Sequence, residues 1–427
     1  MTWLVPREEL TAEQGRAVEL NPREHRLILG SPGSGKTIVL LHRARHLADE
    51  FGVLPKRYRI FVFTRALKAY IRTALQDLDL PDDCVTTFDA WCLEFYRAHI
   101  DSRTPWDAEK KQVDFGAIHQ AVWEKTRTLT GPERLFDFVL VDEGQDLDVR
   151  SFEILKAVAQ HVTVFMDHKQ QLYETGADEQ GILNALGLRR CNLTLLEAYR
   201  CSPYIVRVAA SFIRDPVERE AFMRQHPPIK TARQTPLLYL ASNADDEREH
   251  LIEMVRNRID KNDRMAILFP TKRHVYGYAR GLQEAGLEVE VPGKARRRGS
   301  RSASGPELPD IDFSTPLPKL MPYPSAKGLT FDTILMPRLI PGLFGKIAFE
   351  RLERWLFVGI TRATQWVYFS TINDNRFMFL DRFQALENEK QVAIKFSDGL
   401  LPAGASEHSR VSADEESEEE DHLSDLF

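Results

Sequence analysis

The chain has 427 residues, of which 43% are hydrophobic and 28% charged. That balance fits a globular protein with room for two or three domains of about 150 residues, and no apolar run approaches the roughly 20 residues needed to span a bilayer. Met1 to Leu10 carries charges and Pro6 but no apolar signal core, and Cys84, Cys92, Cys191 and Cys201 show no metal-ligand spacing, so reduced thiols in a cytoplasmic protein are expected.

In chain order, Leu10-Thr-Ala-Glu-Gln14 reads as a helix start, with Thr11 as N-cap and Gln14 at the capping-box position. A glutamine amide also carries a donor and an acceptor that match an adenine edge, so both roles stay open for Gln14. Arg26-Leu-Ile-Leu29 reads as a buried strand and Ile38 to Leu47 as a helix. Between them stands Gly30-Ser31-Pro32-Gly33-Ser34-Gly35-Lys36-Thr37, the glycine loop of a nucleoside triphosphate site. Its glycines let backbone N–H groups turn around a phosphate, and the helix start adds its positive dipole end. Lys36 would reach the β and γ phosphates, while Thr37 would place its hydroxyl on Mg²⁺.

Arg59 to Thr64 is a strand pattern, Ala66 to Leu78 a helix, and Val85 to Phe88 a short strand. Asp101 to Pro132 is mixed, with a helix expected at Phe115 to Thr126. Phe138-Val-Leu-Val141 then runs into Asp142-Glu-Gly-Gln-Asp146. A buried parallel strand delivers such residues to the carboxyl edge of its sheet, where Asp142 can hold Mg²⁺ through water and Glu143 can take a proton from attacking water. Further strands are expected at Val162 to Met166, Leu193 to Leu196, Leu237 to Leu240, Met265 to Phe269, Leu287 to Val291 and Thr333 to Met336, with helices at Asp246 to Asn257 and Arg273 to Ala285. The fold class is therefore α/β, two tandem parallel sheets with one phosphate loop and a triphosphate cleft between two lobes.

Taken together, the motifs resemble those of superfamily 1 helicases of the UvrD/Rep/PcrA type. Leu10 to Gln14 is similar to the Q motif, Gly30 to Thr37 to motif I, Phe61 to Thr64 to motif Ia and Thr86 to Phe88 to motif Ib. Asp142 to Asp146 is similar to motif II, Asp167 to Gln170 to motif III and Tyr199 to Ser202 to motif IV. Lys327-Gly328-Leu329 with Phe331-Asp332 is similar to motif V, and Trp355 to Ala363 to motif VI.

The resemblance implies two RecA-like lobes, ATP and Mg²⁺ as cofactors, and 3′ to 5′ movement along single-stranded DNA. It implies that Tyr199 stacks on adenine, that Gly328 lies at the nucleotide, that Gln170 senses the γ-phosphate, and that Arg200 and Arg362 reach that phosphate when the lobes close. Phe63, Thr64, Arg65, Thr87, Phe88 and Tyr173 would touch the nucleic acid. The expected division is 1–197 for the first lobe with a reduced insertion near 101–132, 198–400 for the second with a basic Gly/Ser loop near 292–306, and 401–427 for an acidic, disordered tail.

Departures from the family pattern bear on strand separation. Both insertions are short, and Thr175, Pro324 and Thr330 stand where family members carry tryptophan, histidine and glutamate. A rival reading is thus a nucleic-acid-gated ATPase, the motor or sensor subunit of a larger complex with a nuclease partner. An ATP-binding module without turnover is disfavoured by Glu143, Arg200 and Arg362.

The net charge of −6 hides an asymmetry, because Val411 to Phe427 holds eight acidic residues and no Lys or Arg, which leaves the remainder near +2. The acidic run reads either as a solubilising tail or as a docking peptide for a protein partner. Its last residues, Leu423 to Phe427, resemble the partner-recruiting tip of bacterial single-strand-binding protein.

Overall fold

The structure is a computed structural model and describes residues 3–109, 111–129, 133–167, 176–195, 201–224, 234–293, 311–345 and 347–397. Gln170, Tyr173, Tyr199, Arg200, most of the basic loop and the acidic tail lie outside them.

The first half supplies β1 (Arg26–Gly30), β2 (Tyr58–Val62), β3 (Val85–Thr87), β4 (Trp106–Asp107), β5 (Gln112–Val113), β6 (Phe136–Val141), β7 (Ala159–Met166) and β8 (Leu193–Leu195). Six of them form a parallel sheet in the order β3-β2-β6-β7-β1-β8, and β4 pairs with β5 as a small antiparallel hairpin. The second half supplies β9 (Leu237–Ala241), β10 (Met265–Phe269), β11 (Lys319–Pro322), β12 (Phe331–Met336), β13 (Ala363–Ile372) and β14 (Ala393–Phe396). These make a second parallel sheet in the order β11-β10-β12-β13-β9-β14. Each sheet thus places its strand carboxyl ends on one edge, where open α/β sheets bind ligands.

Apolar residues fix the layers. Within β1, Leu27 and Leu29 join an outer cluster with Phe88, Trp91 and Phe152. Ile28 faces the other way, into a central cluster that also takes Ile60, Leu238 and Ile334 from both sheets and Phe357 from the helix Phe349–Ile360. Successive strand side chains point to opposite faces, so one residue step separates the interlobe core from the outer layer. A third cluster covers the far face of the second sheet, with Leu251, Val255, Ile267 and Leu282.

A buried arginine ties the first helix to the phosphate-loop helix. Arg43, on the helix Lys36–Glu50, donates to the carbonyls of Val18 at 2.9 Å and Leu20 at 2.8 Å and to Thr163 Oγ1 at 3.0 Å. These carbonyls close the helix Ala12–Val18, whose last C=O groups need partners. Burial, then Arg26, lowers the Arg43 pKa to about 9, so it remains charged at neutral pH.

Two expectations are corrected. Leu287 to Val291 forms no strand and pairs only through a single bridge from Glu290 to Lys319. Arg59 to Thr64 ends as a strand at Val62, because Thr64 turns to cap the helix Arg65–Leu75. Among the described residues no helix is long and apolar enough to cross a membrane.

Candidate functional site

The site begins where β1 ends. Gly33 and Gly35 take φ of 81° and 84°, left-handed values that glycine adopts without a Cβ clash. Gly35 is the N-cap of the helix Lys36–Glu50 and no side chain caps it. The first N–H groups of that helix therefore remain for an anion. The Ser31 and Ser34 hydroxyls are buried and have no hydrogen-bond partner among the described residues. Orphaned donors around a glycine loop are what phosphate oxygens would satisfy, so the residues present fit a triphosphate.

Lys36 is 8% exposed and folds back over the loop, donating to Gly30 O at 2.8 Å and Ser31 O at 3.1 Å, with Asp167 Oδ2 at 3.4 Å. Thr37 Oγ1 donates to Asp142 Oδ2 at 2.7 Å. This pair joins the loop helix to the end of β6 and presents the hydroxyl and carboxylate oxygens that Mg²⁺ prefers.

Gln14 takes the capping role in full. Its Oε1 accepts from Thr11 N–H at 3.1 Å, while its own N–H donates to Thr11 Oγ1 at 3.2 Å. Its Nε2 donates to Ser34 O at 3.0 Å, tying the first helix to the phosphate loop. Both ends of the amide are engaged here, and an adenine contact would share or replace the Ser34 bond.

Beyond Asp142 the backbone turns sharply. Glu143 has φ of 54°, left-handed for a residue with a Cβ, ahead of the one-turn helix Gly144–Asp146. Such a conformation costs about 1–3 kcal/mol and persists only where surroundings impose it. Here Gln145 imposes it: its Nε2 donates to Glu143 Oε2 at 2.5 Å and its Oε1 accepts from Asp167 N–H at 2.9 Å. Gln145 thereby fastens the Glu143 carboxylate to the end of β7.

Two cations reach these acids from the second lobe. Lys327 Nζ lies 2.6 Å from Asp146 Oδ2 and 3.6 Å from Glu143 Oε2, all three buried. Arg362, at the end of the helix Phe349–Ile360, is buried and held by Val358 O at 3.2 Å, Leu329 O at 3.3 Å and Thr361 Oγ1 at 3.3 Å. The acids respond in opposite directions. Burial, then the Glu143 charge, pushes Asp142 up to about 6. Burial also works to raise Glu143, but Lys327, Lys36 and Arg362 outweigh it and hold that carboxyl below the usual range. Glu143 is thus the more acidic member of the pair, and Asp142 the first of the two to take a proton as pH falls.

Between the lobes these groups line a cleft of about 550 Å³ open to solvent, shared by Lys36, Thr37, Glu143, Gly328 and Arg362. Gly328, with φ of 78°, packs so closely on Leu67 of the first lobe that a Cβ there would stand 2.7 Å from Leu67 Cδ2. Trp3 and Tyr70 also line the cleft, stacked at 4.3 Å and 17°. Neither they nor Lys327 stood out in the sequence as site residues. Lys327 was legible only as part of a motif, and Gln145 only as a neighbour of Glu143.

Of the expected nucleic-acid residues, Phe63, Thr64, Arg65 and Thr87 gather at the carboxyl ends of the paired strands β2 and β3. Thr64 and Thr87 cap the next helices, accepting from Leu67 N–H at 3.0 Å and Ala90 N–H at 3.3 Å. Phe63 is half-buried and Arg65 exposed. Phe88, also expected there, is 2% exposed and packs edge-on against Phe61.

Tandem parallel sheets, one phosphate loop and a cleft fed by both lobes define a two-lobed, RecA-like α/β fold. Residues 10–130 match the UvrD/REP helicase N-terminal domain. The chain is 22% identical over 509 aligned positions to a "Probable DNA helicase" of Mycoplasma pneumoniae, covering 91% of this chain and 90% of that one. A solved C-terminal domain of a possible DNA helicase from Lactobacillus plantarum WCFS1 aligns with 46% of this chain and 98% of its own, at 14% identity and a TM-score of 0.33. The family match and the whole-chain relative support a UvrD-like superfamily 1 DNA helicase.

Proposed function

We propose that the protein is an ATP-driven translocase on single-stranded DNA, hydrolysing Mg²⁺-bound ATP in the interlobe cleft. One observation carries this reading: Glu143 of the first lobe and Lys327 and Arg362 of the second converge on one buried point beside the phosphate loop. Groups from separate lobes act together only while the lobes are closed, so hydrolysis at that point couples to lobe movement.

In the proposed mechanism Lys36 leaves the loop carbonyls to engage the β and γ phosphates. Thr37 and Asp142 would hold Mg²⁺, which would neutralise charge on the phosphate oxygens. Glu143, ionised and oriented by Gln145, accepts the proton of the attacking water. Arg362, and by resemblance Arg200, supply guanidinium groups to the charge developing on the transferred phosphoryl. Gln170 and Tyr199 keep their expected roles at the γ-phosphate and adenine. Phe63, Thr64, Arg65 and Thr87 would follow the strand across the sheet edge. The 3′ to 5′ polarity rests on the family resemblance alone.

A second reading, an ATPase motor or sensor subunit that unwinds nothing alone, is favoured by the small first insertion. Between Asp101 and Pro132 its described part is only the β4–β5 hairpin and the helix Phe115–Thr126. Steady-state ATP hydrolysis with and without single-stranded DNA, single-stranded RNA and blunt duplex separates the two. Strong stimulation by single-stranded DNA supports the translocase, whereas intact basal turnover that no nucleic acid stimulates rejects it in favour of the subunit reading.

A further inference from the structure

On the second lobe, away from the nucleotide cleft, a groove runs between the helices Ala244–Asp260 and Lys272–Glu284. It holds roughly 1070 Å³ of space open to solvent. Arg248, Arg273, Arg280 and Arg338 line it, against a single lining carboxylate, Glu284. Three of these arginines have partners in the fold: Arg248 with Asp245 at 3.3 Å, Arg280 with Glu284 at 2.8 Å, and Arg338 with buried Glu247 at 3.0 Å. The first two pairs are exposed and hold their cations weakly. Leu251, Ile252, Tyr278 and Leu282 supply an apolar floor.

The helix Lys272–Glu284 carries Gly277 and Gly281, one turn apart, both lining the groove. A Cβ at either would meet nothing within 4 Å. Glycine inside a helix costs about 1 kcal/mol relative to alanine, and no contact within the described fold offsets that cost. The fold leaves space here that it does not itself fill.

We propose that this groove is the docking site of the chain's own acidic segment, Asp414 to Phe427. Charge complementarity is the first argument: Asp414 to Asp421 contains seven carboxylates in eight residues, followed by Leu423, Leu426 and Phe427. The acidic run matches the arginine rim, and the apolar residues match the floor. The path of the chain is the second. β14 lies beside β9, and Ser397 N–H donates to Leu240 O at 3.0 Å. The Ser397 side chain hydrogen-bonds Asp246, in the first turn of the helix that carries Arg248. The described chain therefore ends beside the N-terminal turn of that helix, on its β9 side. The 30 residues beyond Ser397 can span up to about 100 Å when extended, so reach places no restriction on docking. The same arginine rim would suit a nucleic-acid backbone, so the docked segment would act as a tethered polyanionic competitor, present at high effective concentration.

The test uses the full chain with a benzophenone photo-crosslinking amino acid in place of Leu426. Irradiation should give intramolecular crosslinks that map to residues 248–252 or 273–284. In an Arg273→Glu, Arg280→Glu double variant their yield should fall by about fivefold or more, the order expected when screened surface pairs are inverted. Crosslinks to the basic loop at 294–301, or bands joining two copies of the chain, would overturn the proposal. So would charge reversal that leaves the yield unchanged while weakening fluorescent oligodeoxythymidine binding, which would assign the groove to nucleic acid. The mapping step needs no groove substitution, so a folding defect in the double variant leaves the proposal testable.

Discussion

Lys327 Nζ of the second lobe sits 2.6 Å from Asp146 Oδ2 of the first, with both side chains buried. The two residues are 181 positions apart, and their contact fastens the lobes at the edge of the nucleotide cleft. Removing one partner of a buried pair costs about 3–5 kcal/mol, because the other charge stays buried alone. Lys327→Met should therefore lower the melting temperature. It should also move the acidic limb of the kcat profile to higher pH, because Lys327 heads the charges that depress the Glu143 carboxyl. A lower melting temperature with an unmoved acidic limb would separate Lys327 from the state of Glu143.

Glu143→Gln should abolish turnover and leave ATP binding intact, since the amide keeps the shape but cannot accept the water proton. Lys36→Ala should also abolish turnover by removing the phosphate cation. Equilibrium binding of a fluorescent ATP analogue beside steady-state hydrolysis checks both. Normal hydrolysis by the Glu143 variant would place the proton acceptor elsewhere.

Arg362→Ala should reduce kcat by about 10³ or more, the scale of guanidinium groups that act on a transferring phosphoryl. The effect belongs in kcat because Arg362 enters from the second lobe and completes the site only on closure. A change restricted to KM would make Arg362 a binding residue.

Stability should decline on mild acidification through two histidines, His161 buried and His25 half-buried. Burial, then Lys156, lowers His25 to about 4, and burial, then Arg43, lowers His161 to about 2. His25 Nδ1 accepts Val162 N–H at 3.1 Å, so protonation there would break a bond to β7. Both folded values lie below the unfolded value near 6.5, so the unfolded chain binds protons first as pH falls. Their contribution is present in full above that unfolded value and is lost progressively from there, toward about pH 4 for His25 and about pH 2 for His161, at up to about 1.4 kcal/mol per pH unit for each group. Thermal melts between pH 7 and pH 5 should show the decline, and His161→Gln should make it shallower. An equal slope in the variant would place the titration elsewhere.

Local patterns carried most of the fold. Arg26 to Thr37 was legible because an apolar run, a glycine loop and a helical period are each readable within a few residues. Phe115 to Thr126 was legible because one helical period fills it. Other strands were not, for reasons visible in their residues. β11 contains Lys319 and ends in Pro322, and it stands at the sheet edge, where proline is tolerated. β14 carries Lys395 on the opposite edge. Leu287 to Val291 has strand composition, yet only Glu290 finds a neighbour. At the site, residues that act through their immediate neighbours were legible, such as Thr11 with Gln14. The charges facing Glu143 from Lys327 and Arg362 depend on how two sheets meet, which no local pattern encodes.

Gly328 fixes a distance as well as a turn. Because Gly328 has no side chain, the second lobe's backbone lies directly against the Leu67 side chain of the first. A methyl group at that position would act as a doorstop: the cleft would still admit its nucleotide, but the far wall would halt short of the phosphates. In the proposed cycle one missing carbon atom would thus limit how far the lobes close, although it takes no part in the chemistry.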